Sequence, residues 1–215
     1  MFANLSVVAR RSEPADSLDF FPTPPWATRA MLSHLSGWMD RRDVIWEPAC
    51  GEGHMAAVLA ECGNRVIASD VFDYGYGEVQ DFLSAAQPCD WVITNPPFKA
   101  AAAFARHAFT QARAGVALLV RLQWLESAER YSLFEKDPPA RVLIYSGRVP
   151  MHKGRWEPDG TTATAYCWVV WLTEAALENT LIEWICPDAK RRFSRPEDAA
   201  RFGAEKGAPL LGGPA

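Results

Sequence analysis

Residues 44–59 read VIWEPACGEGHMAAVL, and this stretch decides the architecture. Val44–Trp46 is a short apolar run, Glu47-Pro48-Ala49-Cys50-Gly51-Glu52-Gly53 is a loop with two glycines, and His54–Glu61 has helical composition. A strand that turns sharply into a helix through glycines lets a backbone approach a ligand closely. The loop lacks the third glycine of a dinucleotide fingerprint and the Gly-Lys-Ser/Thr of a phosphate loop. On the glycines alone, a tight strand-to-helix turn without a ligand explains it equally well.

Downstream of this unit the pattern repeats. Arg65–Ser69 reads as a strand ending at Asp70, Trp91–Thr94 as a strand ending in NPPF, and Val116–Arg121, Arg141–Tyr145 and Ala165–Leu172 as further strands. Ala100–Arg113, closed by Gly115, and Ser127–Lys136 read as helices. Upstream, Asp19–Met39 carries prolines at 22, 24 and 25, so a helix begins at Pro24 with Thr23 as its cap. Alternating strands and helices predict an α/β fold, a mostly parallel sheet covered on both faces. Residues 1–17 are predicted to be a loose arm, 18–200 one domain, and 201–215, rich in Gly and Pro from Gly203, a disordered tail.

Composition narrows the function classes. The chain has 215 residues, 49% hydrophobic and 22% charged, values of one soluble globular domain. No apolar run reaches the ~20 residues of a membrane span, and MFANLSVVARRSEP has no apolar core long enough for a signal peptide. The five cysteines never form CxxC and no histidine pairs with them at ligand spacing, so neither a disulfide framework nor a metal site is expected and the setting reads as cytoplasmic. The net charge of −4 means that a nucleic-acid partner would need a local basic patch.

Three segments carry chemistry. Asp70 follows the glycine loop by about 20 residues, where an acidic side chain grips a ribose diol in such sheets; its bland alternative is a strand-end charge. Asn95-Pro96-Pro97-Phe98 stands at the C-terminal end of a strand. The Asn95 carboxamide oxygen and the Pro96 carbonyl could both accept hydrogen bonds from one –NH2 group, and Phe98 could stack on a planar ring. The bland alternative is a proline-stiffened loop with a buried Phe. Gly147–Thr164, with Arg148, His152, Lys153, Arg155 and Trp156, interleaves basic groups with an aromatic, a pattern suited to a nucleic-acid backbone and an unstacked base; the alternative is a solvated loop. Lys190, Arg191, Arg192 and Arg195 form a second basic cluster with the same two readings.

On these residues the chain, from about Asp19 to Leu172, resembles class I S-adenosylmethionine-dependent methyltransferases, in particular the adenine-N6 DNA methyltransferases of bacteria and phages. Phe20-Phe21-Pro22-Thr23-Pro24 is similar to that group's leading cofactor motif, Glu47–Gly53 to its glycine-rich cofactor loop, and Asp70 to its ribose-binding acid. Asp81-Phe82 resembles the next motif, with Asp81 facing the cofactor's adenine amine, and Asn95–Phe98 resembles the catalytic tetrapeptide. The resemblance implies a Rossmann-like, doubly wound sheet of seven strands with the last inserted antiparallel beside the fifth. It also implies S-adenosyl-L-methionine as cofactor, no metal, and nucleic acid, DNA first, as partner. Phe21, Pro22, Thr23, Glu47, Pro48, Ala49, Cys50, Gly51, Gly53, Asp70, Asp81 and Phe82 are then cofactor-binding, Asn95, Pro96, Pro97 and Phe98 catalytic, and Arg148, Lys153, Arg155 and Trp156 the nucleic-acid contacts.

No separate target-recognition domain is evident, so low sequence specificity is expected. An RNA base amine or a protein glutamine amide presents the same planar –NH2 and is the second reading; a non-enzymatic binding module is the third. Cys89 precedes its strand and is read as structural, while Trp124 is a second aromatic in a segment where a base could stack. His54 is read as either a cofactor neighbour or a solvent-facing first-turn residue, and His107 as a surface or packing residue.

Overall fold

The computed structural model describes residues 19–173 and 179–203. The arm expected over 1–17 lies outside them, as does most of the expected tail. Eight strands form one sheet: β1 (Val44–Glu47), β2 (Arg65–Asp70), β3 (Glu78–Val79), β4 (Cys89–Thr94), β5 (Ala112–Arg121), β6 (Arg141–Tyr145), β7 (Tyr166–Leu172) and β8 (Leu181–Ile185). Their order is β3-β2-β1-β4-β5-β7-β6-β8. β1 to β5 run parallel where they pair, β7 is antiparallel to both β5 and β6, and β8 is parallel to β6.

The doubly wound α/β sheet is therefore as expected, and so is the antiparallel insertion beside β5. The strand count differs. β8 is an eighth strand on the outer edge, and the antiparallel strand is the penultimate one in sequence. β8 carries a weak pattern in sequence: Leu181, Ile182 and Trp184 are exposed and only Ile185 is buried. Among the described residues no helix is long and apolar enough to cross a membrane.

Strand alternation divides the core into two layers. Trp91, Ile93, Ala117, Leu119, Trp168 and Val170 face one side, under α1 (Pro25–Leu35) and α2 (His54–Ala60). Trp46, Val92, Val116, Leu118, Val120 and Val169 face the other, under α3 (Ala101–Gln111) and α4 (Ala128–Lys136). α1 buries Trp26, Ala27, Ala30, Met31 and Leu35, and the Tyr145 hydroxyl donates to the Ala27 carbonyl at 2.6 Å.

Two helix boundaries differ from expectation. Thr23 is not a cap: α1 begins at Pro25 after Pro24, with no side-chain capping bond, because a proline at the first position has no N–H to satisfy. α3 stops at Gln111 and passes directly into β5, so Gly115 is a strand residue and not a helix stop. It is glycine for packing reasons, since a Cβ there would overlap the Trp91 ring. Ser127 does cap α4, accepting from the Glu129 N–H at 3.1 Å.

Two short helices, α5 (Ala189–Phe193) and α6 (Asp198–Phe202), pack back onto α1 and α2, and α6 crosses the boundary expected at residue 200. The buried Arg29 ties them down, donating to Asp198 at 2.7 Å, to Glu61 at 2.8 Å and to the Phe193 carbonyl at 2.9 Å. Arg195 and Arg201 each reach Glu61 at 3.0 Å. Arg195 of the second basic cluster is thus spent on an ion pair, and Lys190 donates to the Pro158 carbonyl at 2.6 Å.

Candidate active site

The strand order reverses between β1 and β4, and a cleft opens at their C-terminal ends, where open parallel sheets bind ligands. Its walls come from Asp19–Thr23, Glu47–Cys50, His54, Asp70–Phe72, Tyr74, Asp81, Phe82, Asn95, Pro97 and Phe104. Nearly all residues assigned to the cofactor by sequence thus converge on one cavity.

The glycine loop follows β1. Gly51 and Gly53 adopt φ of 49° and 83°, left-handed conformations that favour glycine. Side chains fill the space a Cβ would need: the Phe20 ring over Gly51 and the Tyr76 ring over Gly53. The Gly51 N–H donates to Asp70 Oδ2 at 2.9 Å, and the Phe72 N–H donates to Asp70 Oδ1 at 3.1 Å. These bonds hold the Asp70 carboxylate at the end of β2, against the loop.

The cleft is acidic: Asp19, Glu47, Asp70 and Asp81 line it, with no Lys or Arg among the described lining residues. Glu47 is 2% exposed and its Oε2 has no partner. Burial raises the Glu47 carboxyl well above its ordinary range; a hydrogen bond from the Ala56 N–H opposes this, and the Asp70 charge adds to it. Burial also raises Asp70, against the hydrogen bonds from Gly51, Phe72 and Val71. The Cys50 thiol is pushed up to about 12 by burial and by the charges of Glu47 and Asp70, which leaves it un-ionised and unsuited to nucleophilic work.

Asp81 is exposed and accepts from the Leu83 N–H at 3.0 Å. Phe82 is 1% exposed and packs on Trp46, Phe104 and His107, so it supports the cleft wall as a core residue. His54 is buried, not solvent-facing. Burial lowers its pKa; Nε2 donates to the Phe202 carbonyl at 3.0 Å and Nδ1 has no partner. His107 donates to the Ala85 carbonyl at 2.8 Å, a packing role, and Cys89 is the buried first residue of β4.

Asn95 is the centre of the arrangement. Its Nδ2 donates to the Phe21 carbonyl at 2.9 Å and lies 3.7 Å from Met151 Sδ. A carbonyl only accepts, so this bond fixes the orientation of the carboxamide. Asn95 Oδ1 is left buried without a partner. Pro96 is buried and Pro97 half-buried. The Phe98 N–H donates to Asp19 Oδ2 at 2.8 Å, and its ring lies 5.2 Å from that of Phe21.

The Gly147–Thr164 loop sits on the same rim, through Met151 beside Asn95 and the Gly154 N–H donating to the Phe20 carbonyl at 2.9 Å. Its charged residues are not equivalent. Arg148 is exposed, Lys153 is half-buried, and Arg155 pairs with Glu157 at 2.5 Å. Trp156 is 5% exposed. At that exposure a base arriving from solvent finds no open face of its ring, against the stacking role expected for it. Trp124 is likewise buried, with Phe134 and Arg130 against it.

Several cleft residues were not assigned from sequence: Asp19, Phe72, Tyr74 and, behind Gly53, Tyr76. The signal was available in VFDYGYG, Val71–Gly77, where aromatics cluster directly after the strand-ending acid. Tyr74 stacks on Phe20 at 4.7 Å, so the leading segment and the post-β2 loop close the cleft together.

No protein-family model matches the sequence, and no curated protein matches it. Solved structures match in fold. A protein assigned as an RNA methyltransferase from Pyrococcus horikoshii superposes with a TM-score of 0.58 at 17% identity, over 75% of this chain and 90% of that one. A protein assigned as a class I S-adenosylmethionine-dependent methyltransferase from Listeria monocytogenes gives 0.59 at 14% identity, over 86% and 70%. The modification subunit assigned to a type I restriction enzyme from Vibrio vulnificus gives 0.56 at 14% identity, over 87% of this chain and 52% of that one. The chain therefore has the class I S-adenosylmethionine-dependent methyltransferase fold.

Proposed function

We propose that this protein is an S-adenosylmethionine-dependent methyltransferase acting on an exocyclic amine, adenine N6 in DNA, with low sequence specificity. One observation carries the reading: the buried, unpartnered Asn95 Oδ1, held in place by the Nδ2 bond to Phe21. An acceptor left unpaired costs about 1–3 kcal/mol in a folded protein, so a donor that fills it has a ready-made place.

The cleft suits the cofactor on its own chemistry. Asp19, Asp70 and Asp81, with no lysine or arginine among the described lining residues, favour a ligand carrying a sulfonium and an ammonium, and the unpartnered Glu47 Oε2 lies within the same cleft. Asp70 would take the ribose hydroxyls, held in place by the Gly51 N–H. When bound, S-adenosylmethionine supplies an electrophilic methyl group.

The chain's own residues do the rest. An adenine amine is a poor nucleophile because its lone pair is delocalised into the ring. Asn95 Oδ1 and the Pro96 carbonyl accept its two N–H bonds, which favours a pyramidal nitrogen and stabilises the positive charge that develops there. Phe98 receives the base face on, after the base has left its stack. Arg148, Lys153 and Arg155 on the neighbouring rim would meet phosphates, contacts that are largely blind to sequence.

The test is methyl transfer from tritium-labelled cofactor to DNA, RNA and cell protein, with the product identified after digestion. N6-methyladenine in DNA supports the reading. Label confined to RNA or to protein would move the substrate, and label in none would refute the activity.

A further inference from the structure

Arg121 is the last residue of β5 and stands opposite Tyr166 of β7 in the sheet register. Its guanidinium carbon lies 4.0 Å above the centroid of the Phe98 ring. The other neighbours of Phe98 belong to the protein interior. Phe21 is packed against the core, and Tyr166, at 6.3 Å, is 3% exposed. The Phe98 backbone is pinned by Asp19 at 2.8 Å. Arg121 itself is exposed. A planar group arriving from solvent to lie on Phe98 therefore meets the guanidinium first, on the face it would have to use.

A guanidinium on an aromatic face is a flat cation at stacking distance, the same shape and spacing as a nucleobase. Nothing anchors Arg121 there through charge: no carboxylate pairs with it among the described residues. By contrast, Arg29, Arg113, Arg141, Arg155, Arg195 and Arg201 are all ion-paired. A stacked base covers more of the ring than an exposed cation does, so the base can displace it. The displaced side chain stays at the rim, beside the sugar and phosphate that follow the base. Its forked donors match two phosphate oxygens.

We propose that Arg121 is a substrate-binding residue that keeps the place of the target base on Phe98 in the free protein and takes the phosphate flanking that nucleotide once the base has entered. This rests on the base-methylating reading above and adds to it a requirement for a nucleotide within a strand, as opposed to a free base or nucleoside.

The test uses single-stranded oligodeoxynucleotides with one adenine, flanked by ordinary phosphodiesters or by uncharged methylphosphonates. KM and kcat are measured for the full chain and for Arg121→Gln and Arg121→Lys, with S-adenosylhomocysteine affinity by calorimetry as the control for folding. The wild-type KM should rise about tenfold or more when the flanking charge is removed. Arg121→Gln should show that rise already on the phosphodiester, with no further rise on the methylphosphonate. Arg121→Lys should recover part of the discrimination. Cofactor affinity should not change. If Arg121→Gln still discriminates between the two linkages as wild type does, or loses kcat with KM unchanged, the inference is overturned while the methyltransferase reading stands. If wild type transfers methyl groups to no nucleic acid, the reading beneath it fails as well, and that result is seen before any variant is compared.

Discussion

Asp70 Oδ2 accepts the Gly51 N–H at 2.9 Å, and this bond joins the end of β2 to the glycine loop after β1. The two elements are neighbours because β1 and β2 pair in parallel, with Glu47 opposite Ala68. The bond aims a carboxylate into the cleft and keeps it from swinging into solvent. Asp70→Ala should therefore lose both the hydroxyl contacts and part of the loop's order. A hydrogen bond to a charged group is worth about 1.5–3 kcal/mol, or roughly 10–150-fold in affinity for S-adenosylhomocysteine. Calorimetry on the folded variant checks this; unchanged affinity would remove Asp70 from the site.

Glu47 gives the cleft a pH dependence. Burial raises its carboxyl above the ordinary value of 4.5, so between that value and the raised one the free protein holds a proton that the unfolded chain has released. With more protons bound in the folded state, stability falls as pH rises from about 4.5 through the raised value. A cationic ligand favours the ionised carboxylate, so ligand binding should release a proton and strengthen as pH rises through the same range. Calorimetry in buffers of different ionisation enthalpy measures the proton count. Glu47→Gln should reduce the release to the part that Asp70, also raised by burial, contributes; undiminished release in that variant would remove Glu47 from this role.

The Arg29 cluster sets stability at the opposite end of the pH scale. Burial pushes the carboxyls of Asp198 and Glu61 up, but hydrogen bonds and charge from Arg29 outweigh it and leave both below their ordinary values of 3.8 and 4.5. Their contribution is complete above those values and is lost as pH falls through the lowered ones. Arg29→Met takes the guanidinium from the buried Asp198, while Glu61 keeps Arg195 and Arg201, and should cost about 3–5 kcal/mol at neutral pH, less in acid. Denaturant unfolding at two pH values reads this directly. A loss independent of pH would mean that Arg29 acts through packing alone.

Much of this site is legible in the sequence because its signals are local. A strand ending in glycines, an acid ending the next strand and NPPF ending a third each report a backbone geometry, and the sheet gathers such ends on one edge. What is illegible depends on distant partners. Gly115 looks like a helix stop until Trp91 is seen against it, and Trp156 looks like an exposed aromatic until the loop is folded. β8 and the helices that bring Asp198 to Arg29 lack periodicity of their own and are held by side chains far along the chain. Arg121 is an ordinary strand-end arginine in sequence; only register places it over Phe98.

The rim loop predicts a salt response. If Arg148, Lys153 and Arg155 meet phosphates, replacing all three by alanine should weaken DNA binding across unrelated sequences. It should also reduce the slope of log affinity against log salt by about 2–3. Cofactor affinity should be untouched. Unchanged DNA binding would move the docking surface away from this loop. Methylated adenines mapped on long natural DNA should show no strict recognition sequence, and one invariant sequence would contradict the low specificity proposed.

The central claim is that Asn95 Oδ1 accepts from the target amine. The most direct measurement compares wild type and Asn95→Ala for methyl transfer to DNA, with the nucleosides analysed after digestion and cofactor binding measured alongside. The account predicts N6-methyladenine from wild type, and a loss of about 10²–10³-fold or more in Asn95→Ala, by analogy with the removal of one oriented transition-state partner. Cofactor binding should be retained. Near-wild-type transfer by folded Asn95→Ala, or C5-methylcytosine as the product, would contradict it.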